Sequence, residues 1–389
     1  MLLGGGIVGS TIARAIKRKD LGDVLLIEKE TKLGLHASGR NSGVIHSGIN
    51  QKPGTLKAKM CVKGSKMLRD YCKDNNVPFH ECGTLVVSRN EREDTVLQEI
   101  YKLGVDAGVE GLRIIYDKEL GEREPLVRGS KALLSPSGAV VDSISLLDKI
   151  FEDLSHLGIE SHFNSELKHI GGRVAMTNHE DIRFSHLVNC AGLYADKIAK
   201  MAGLNTDLKV IPFRGDYFKA NLKINSMVYQ VPDLRFPFLG VHLTKSLDNG
   251  SLIGPSSSLS WKGRESYNGE FSFSEFSDTI FSQNFFKLMA NRELLTLAYH
   301  NASLSLSKTS FLNEINSFLE EPIQANSVSK YRSGIRAQMV DASGKMVNEF
   351  IVERGKNSTH ILNAVSPGMT SSLAFAEYVV DNYVPKVHK

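Results

Sequence analysis

Apolar residues open the chain as a short run, Met1 to Leu3. They then recur at Ile7, Ile12, Ala15 and Ile16, a spacing that places them on one helical face. A helix is expected over Ile7–Lys19, with Lys17, Arg18 and Lys19 suited to its C-terminus. A second run, Val24 to Ile27, predicts a strand. The lead-in is shorter than the about five residues of an ordinary strand, so the opening reads as clipped, with room for a missing targeting sequence.

Further along, a helix is expected from Thr55 to about Asn75, with Leu56, Met60, Val62, Met67 and Leu68 on its buried side. Gly83–Ser88 predicts a strand, residues 91–107 a helix, and Leu112–Tyr116 a strand. Residues 143–157 read as helix. Short strands follow near 159–163, 166–170 and 172–176, then His186–Cys190, and helix resumes at 194–202. From about 205 to 325 strand-like pieces alternate with polar stretches, and 275–320 reads as largely helical. Strands near 347–353 and 359–363 and a helix from Ser371 to Asn382 close the chain. The pattern describes a nucleotide domain interrupted by a second domain.

At 389 residues the chain exceeds one ordinary core, in keeping with two domains. With 41% hydrophobic and 23% charged residues it reads as a globular protein. A net charge of +4 is too small for a nucleic-acid binder, yet tolerates an anionic substrate or loose contact with an acidic membrane. Cys61, Cys72, Cys82 and Cys190 form no C-x-x-C pair and no zinc spacing. They read as reduced, mostly buried thiols, and no metal is expected. No apolar run approaches the roughly 20 residues of a membrane span. A cytoplasmic location is expected, peripheral on the inner face of a membrane at most, or organellar if a targeting sequence is missing.

The chemistry begins at Gly4-Gly5-Gly6-Ile7-Val8-Gly9. Gly4 permits a tight turn, Gly6 lets backbone approach a pyrophosphate, and Gly9 lets the helix pack close to the sheet. Phosphates then meet the helix N-terminus. Glu28 ends the next apolar run, where a carboxylate can accept from a ribose hydroxyl. Three more glycine-bearing clusters lie far apart: His36–Gly48, Val188–Asp196 and Asn363–Ser372. That spread suits an extended flavin dinucleotide, gripped at adenosine, pyrophosphate, ribityl and isoalloxazine.

Together the clusters resemble the FAD-dependent amino-acid and hydroxy-acid oxidase superfamily typified by D-amino-acid oxidase. Arg40–Ile49, Lys52–Lys59, Val210–Tyr217 and Arg235–His242 narrow the likeness to the L-2-hydroxyglutarate oxidase/dehydrogenase family. The resemblance covers most of the chain and is weakest between about 256 and 325. It implies an α/β fold: a Rossmann-like FAD-binding domain with an inserted α+β, antiparallel-sheet substrate domain. The FAD-binding domain is expected over 1–80, 140–204 and 326–389, and the substrate domain over 81–139 and 205–325. The implied reaction is oxidation of L-2-hydroxyglutarate, a small dicarboxylate, to 2-oxoglutarate, with hydride passing to flavin N5. Oxygen or a membrane quinone would then accept the electrons. Rival readings are a D-amino-acid or glycine oxidase, a glycerol-3-phosphate dehydrogenase, or a flavin-binding protein that does not turn over.

By the same resemblance Ser38, Arg40, Asn41, Ser42 and Gly43 approach phosphate and ring, with Arg40 neutralising pyrophosphate; a surface loop with capping serines is the alternative. Ala191 and Gly192 are expected at the adenine side, with Asp196 serving the turn or helix start. Gly368, Met369 and Thr370 would present amides to the flavin's N1–C2 edge, with Ser371 and Ser372 as helix caps. His46 and His242 compete as the base that removes the hydroxyl proton. A dicarboxylate needs two cationic clamps, and Arg214, Arg235, Arg332 and Arg336 are the candidates. For each of these six the rival reading is a purely structural role, for Arg214 a pair with Asp216.

Overall fold

Short apolar runs flanked by helices build a parallel sheet buried on both faces. In the computed structural model, which describes residues 1–234, 240–248, 250–292, 295–296, 301, 303–305 and 307–386, that sheet has six strands. Their order is Ile351–Gly355, Ser358–Asn363, Leu187–Asn189, Leu2–Leu3, Leu25–Ile27 and Glu160–His162. Neighbours run parallel except in the edge hairpin of Ile351–Gly355 with Ser358–Asn363. Helix Ile7–Arg18 covers the sheet beside the closing helix Gly368–Tyr383. Ile12, Ala13, Leu26, Val188, Phe375 and Val379 make their shared core.

Two expectations change here. The closing helix starts at Gly368 rather than Ser371, after Pro367, so Ser371 and Ser372 lie buried inside its first turns rather than capping it. Helix Leu56–Asp74 buries a line of small residues, Ala58, Cys61, Gly64 and Ser65, while Leu56, Met60, Val62 and Met67 are only half-buried. The reason is close helix packing. A Cβ at Gly64 would stand 2.5 Å from the Thr370 carbonyl oxygen and 2.7 Å from Ser371 Cα.

The second sheet is larger and mostly antiparallel. Its strands run in the order Ser258–Leu259, Lys209–Ala220, Ser251–Gly254, His242–Lys245, Met227–Gln230, Thr84–Ser88, Lys131–Ser135 and Arg113–Tyr116. Val328–Val340 completes it by pairing with Lys209–Ala220 from Lys209↔Val340 to Ala220↔Val328, with a bulge near Arg332. The sequence reading put Val328–Val340 with the cofactor domain; its backbone runs in the nine-stranded sheet. Strand partners depend on register and buried face across the chain, which local pattern does not carry. Leu85, Leu134, Val228, Leu243, Ile253 and Phe311 lie in the core of this sheet. A small sheet of Val44–Ile45, Ala139–Val141 and Phe79–His80 lies under the cofactor loop. Within 275–320 the described helices are Phe273–Ile280, Gln283–Met289 and Lys308–Asn316. Among the described residues no helix is long and apolar enough to cross a membrane.

Alanine normally stabilises a helix relative to glycine by roughly 1 kcal/mol. At Gly64 the sign should reverse. Gly64→Ala is expected to lower stability by about 1–3 kcal/mol through overpacking, read as a drop in Tm. A raised Tm would refute the close approach.

Candidate active site

One cavity of about 1770 Å³ runs from the glycine turn to the nine-stranded sheet. Its first wall is the turn after Leu2–Leu3. Gly4 has φ +96°, and a Cβ there would meet the Cys190 carbonyl oxygen at 2.5 Å; one on Gly9 would meet the Gly4 oxygen at 2.0 Å. Gly6 begins the helix without a side-chain cap, and Ser38 Oγ reaches across to accept from Ile7 N at 2.9 Å. Glu28 is buried. Its Oε2 accepts from Gly5 N at 2.7 Å and its Oε1 from Glu30 N at 3.0 Å, which leaves lone pairs for a sugar hydroxyl.

The loop His36–Gly43 forms the next wall. Asn41 folds it, donating to the Ser38 carbonyl at 2.5 Å while its Oδ1 accepts from Gly43 N at 2.8 Å. Gly43 has φ +75° and packs against the Val141 carbonyl instead of lining the cavity. Arg40 donates to the Leu35 carbonyl at 3.0 Å and lies 4.0 Å over the Tyr267 ring. Tyr267 in turn bonds His36, whose other nitrogen meets Glu30 at 3.1 Å. Ser42 hydrogen-bonds Tyr217.

On the sheet side Ala191 and Gly192 line the cavity, with Ala191 N donating to Asn189 Oδ1 at 3.1 Å. Gly368, Met369 and Thr370 line it at the N-terminus of the closing helix, where Pro367 supplies no side-chain cap. Unpaired amides there favour negative charge. Thr370 Oγ1 also accepts from His46 N at 3.0 Å.

His46 stands where this helix end meets the nine-stranded sheet. Its Nε2 is 3.5 Å from Ser366 Oγ. Burial, then the nearby His242 ring and the Lys57 and Arg336 cations, push its pKa down to about 4. His242 is stacked on Tyr229 at 4.2 Å, and its Nδ1 meets the Gly240 carbonyl at 2.9 Å. A carbonyl only accepts, so Nδ1 carries the proton and Nε2 holds a lone pair. Burial takes His242 to about 4 as well, against the opposing pull of the Gly240 carbonyl. Arg336 lines the same end, and burial lowers it to about 10.

Arg214 also lines the cavity, and both it and Arg332 are hydrogen-bonded. Arg214 donates to Asp216, to the Ser266 carbonyl at 2.5 Å and to Ser333 Oγ at 2.7 Å. Arg332 donates to the Gly39 and Asn41 carbonyls at 2.9 and 2.6 Å and so holds the loop backbone. Arg235 lies outside the described residues. Asp196 accepts from Arg264 at 2.7 Å and from Val210 N at 3.1 Å.

A cradle at two helix N-termini, with glycines where a side chain would clash, fits a dinucleotide. Residues 2–382 match the family described as FAD dependent oxidoreductase. The chain belongs to that family. Within it, the chain is 35% identical to the mitochondrial L-2-hydroxyglutarate dehydrogenase of Homo sapiens, covering 98% of this chain and 87% of that protein. It is 34% identical to the L-2-hydroxyglutarate dehydrogenase of Indibacter alkaliphilus, covering 98% and 97%, and 32% identical to that of Escherichia coli, covering 98% and 92%. The fold is shared with the dithionite-reduced L-alpha-glycerophosphate oxidase of Mycoplasma pneumoniae with FAD bound. That match has a TM-score of 0.77 and 21% identity, over 100% of this chain and 95% of that one. FAD is thus the family's cofactor, and the glycine turn, the Ser38–Ser42 loop and the Gly368–Thr370 helix end are the residues that fit it.

Sequence reasoning passed over Lys57, Tyr217, Tyr229 and Arg264. Lys57 lines the cavity from the first turn of its helix and is only 9% exposed. A lysine in a first turn carries no sign of burial, and nothing around Arg264 matches a family motif. Arg332→Met removes two charge-assisted bonds to the loop. It is expected to cost about 1.5–3 kcal/mol, read as at least tenfold weaker FAD retention in a dialysis titration. Unchanged retention would show the loop is held without it.

Proposed function

We propose that the protein oxidises L-2-hydroxyglutarate to 2-oxoglutarate. The observation that carries the reading is the convergence of His46, His242, Lys57 and Arg336 at one end of the cofactor cavity. Two cations there attract a dicarboxylate, and two imidazoles kept neutral by burial can accept a proton. The likeness to relatives named L-2-hydroxyglutarate dehydrogenase supports the choice of acid and of enantiomer.

FAD, when bound, supplies the hydride acceptor. Arg336 binds a substrate carboxylate through its planar fork. His46 removes the proton from the C2 hydroxyl as the C2 hydrogen departs with its electron pair. His242, fixed by Tyr229 and Gly240, positions the substrate through Nε2. Amides of Gly368–Thr370 would hold the cofactor's edge and favour negative charge there. The walls exclude water from the reacting atoms.

For the electron acceptor we favour a membrane quinone over oxygen. Support comes from Trp261, Phe271, Phe273, Phe281 and Phe286, which stand exposed on adjoining segments with Lys262 and Lys287 nearby in sequence. Aromatic rings beside cations suit the surface of an anionic bilayer, as in peripheral attachment.

The deciding experiment is anaerobic bleaching of the flavin's visible absorbance. Only L-2-hydroxyglutarate should bleach it; the D-enantiomer, glycine, D-alanine and glycerol 3-phosphate should not. Bleaching by an amine or by glycerol phosphate would overturn the substrate. Adding air, or a soluble quinone analogue, to the bleached sample then reads the acceptor from whichever restores colour faster.

The base has its own test. A depressed imidazole pKa leaves the proton-accepting form intact until pH falls through about 4. The acid limb of kcat/KM is therefore expected well below the usual imidazole value of about 6.5. His46→Gln should lower kcat by roughly 10²–10⁴-fold, and His242→Gln should act mainly on KM. The reverse pattern would move the base to His242.

A further inference from the structure

A dicarboxylate presents two anionic ends, and the cavity must meet both. Arg336 answers one. Arg214 and Arg332 are already bonded to Asp216 and to loop carbonyls. Lys57 remains. It sits in the first turn of Leu56–Asp74, is buried, and faces the cavity beside Arg336 and His46. Its ammonium makes no hydrogen bond or ion pair among the described residues.

The neighbouring Glu349 does not pair with that ammonium. Its Oε1 instead accepts from the backbone amides of Lys57 and Phe350, both at 2.8 Å. Burial, then the charge of Arg336, lowers Lys57 to about 8, with Cys61 and Glu349 opposing. A buried cation next to a second cation is costly unless an anion completes the group. Lys57 is thus a buried cation facing the cavity with room for an anionic partner.

We infer that Lys57 grips the second carboxylate of the substrate and so makes the site select dicarboxylates over monocarboxylic 2-hydroxy acids. This rests on the dicarboxylate reading above, and it adds the residue that enforces it. Lysine is suited to this end because the far carboxylate needs a point charge and no planar registration, whereas the end next to the reacting carbon needs the arginine fork.

The test uses FAD-loaded enzyme with glutarate and butyrate, neither of which has a hydroxyl to oxidise. Binding is read from perturbation of the flavin spectrum. In Lys57→Met the glutarate Kd is expected to rise roughly 10–100-fold, while butyrate changes by less than about threefold. Equal losses for both acids, or an unchanged glutarate Kd, would overturn the assignment. Should the methionine variant not fold, the wild type alone decides. The groups facing Lys57 are His46, Arg336, Cys61 and Glu349. Arg336 titrates near 10 and Cys61 near 12, while His46 is already neutral. Loss of the Lys57 proton above pH about 8 should therefore raise the glutarate Kd toward tenfold per pH unit. A Kd flat from about pH 7 to about pH 9.5 would overturn it. An enzyme that binds glutarate through Lys57 yet is bleached by no hydroxy acid would keep the grip and discard the substrate.

Discussion

The loop His36–Gly43 is held from two directions, and it carries one wall of the site. On the side of the parallel sheet, the amide of Ile7 at the start of the first helix donates to Ser38 Oγ. From the nine-stranded sheet, Arg332 takes the carbonyls of Gly39 and Asn41, and Gly334 lets its strand approach so closely that a Cβ would meet the Arg40 oxygen at 2.6 Å. The loop is the seam between a sheet that cradles the cofactor and a sheet that faces the substrate. Without it the imidazole of His46 and the guanidinium of Arg336 would have no common reference.

Buried charge is handled in two ways. Arg264 is fully buried and answered by Asp196, Asp278 and the Leu193 carbonyl, so its desolvation is offset within the fold. That group locks the end of the Leu187–Asp196 segment to the polar stretch after residue 260. Lys57 is buried with no such answer. The first arrangement fixes the fold, and the second leaves a cation facing the cavity.

Most of the fold could be read from local pattern because its elements are locally consistent. The helices at 7–18, 91–106 and 143–156 fall within a residue or two of expectation, and the glycine fingerprint sits in the turn it implies. What failed to show was pairing over distance. Val328–Val340 looks like any strand, and only its register against Lys209–Ala220 assigns it to a sheet. The arginines were equally opaque. A guanidinium on a strand can clamp a carboxylate or tie a backbone carbonyl, and the sequence around Arg214, Arg332 and Arg336 does not distinguish these uses. Lys57 was opaque for the opposite reason: a lysine in an amphipathic first turn is ordinarily a solvated residue, and its burial comes from neighbours distant in sequence, Arg336 and Glu349 among them.

Arg332 and Arg336 sit on the same strand, four residues apart, one on the cofactor loop and the other at the substrate end. Any drift of that strand would move both at once. Variation toward a new acid is therefore safest on the walls away from that strand, the first turn of Leu56–Asp74 and the strands around Tyr229 and His242. The long strand acts as the shared inheritance of all such descendants, and the opposing walls as the ground on which they diverge.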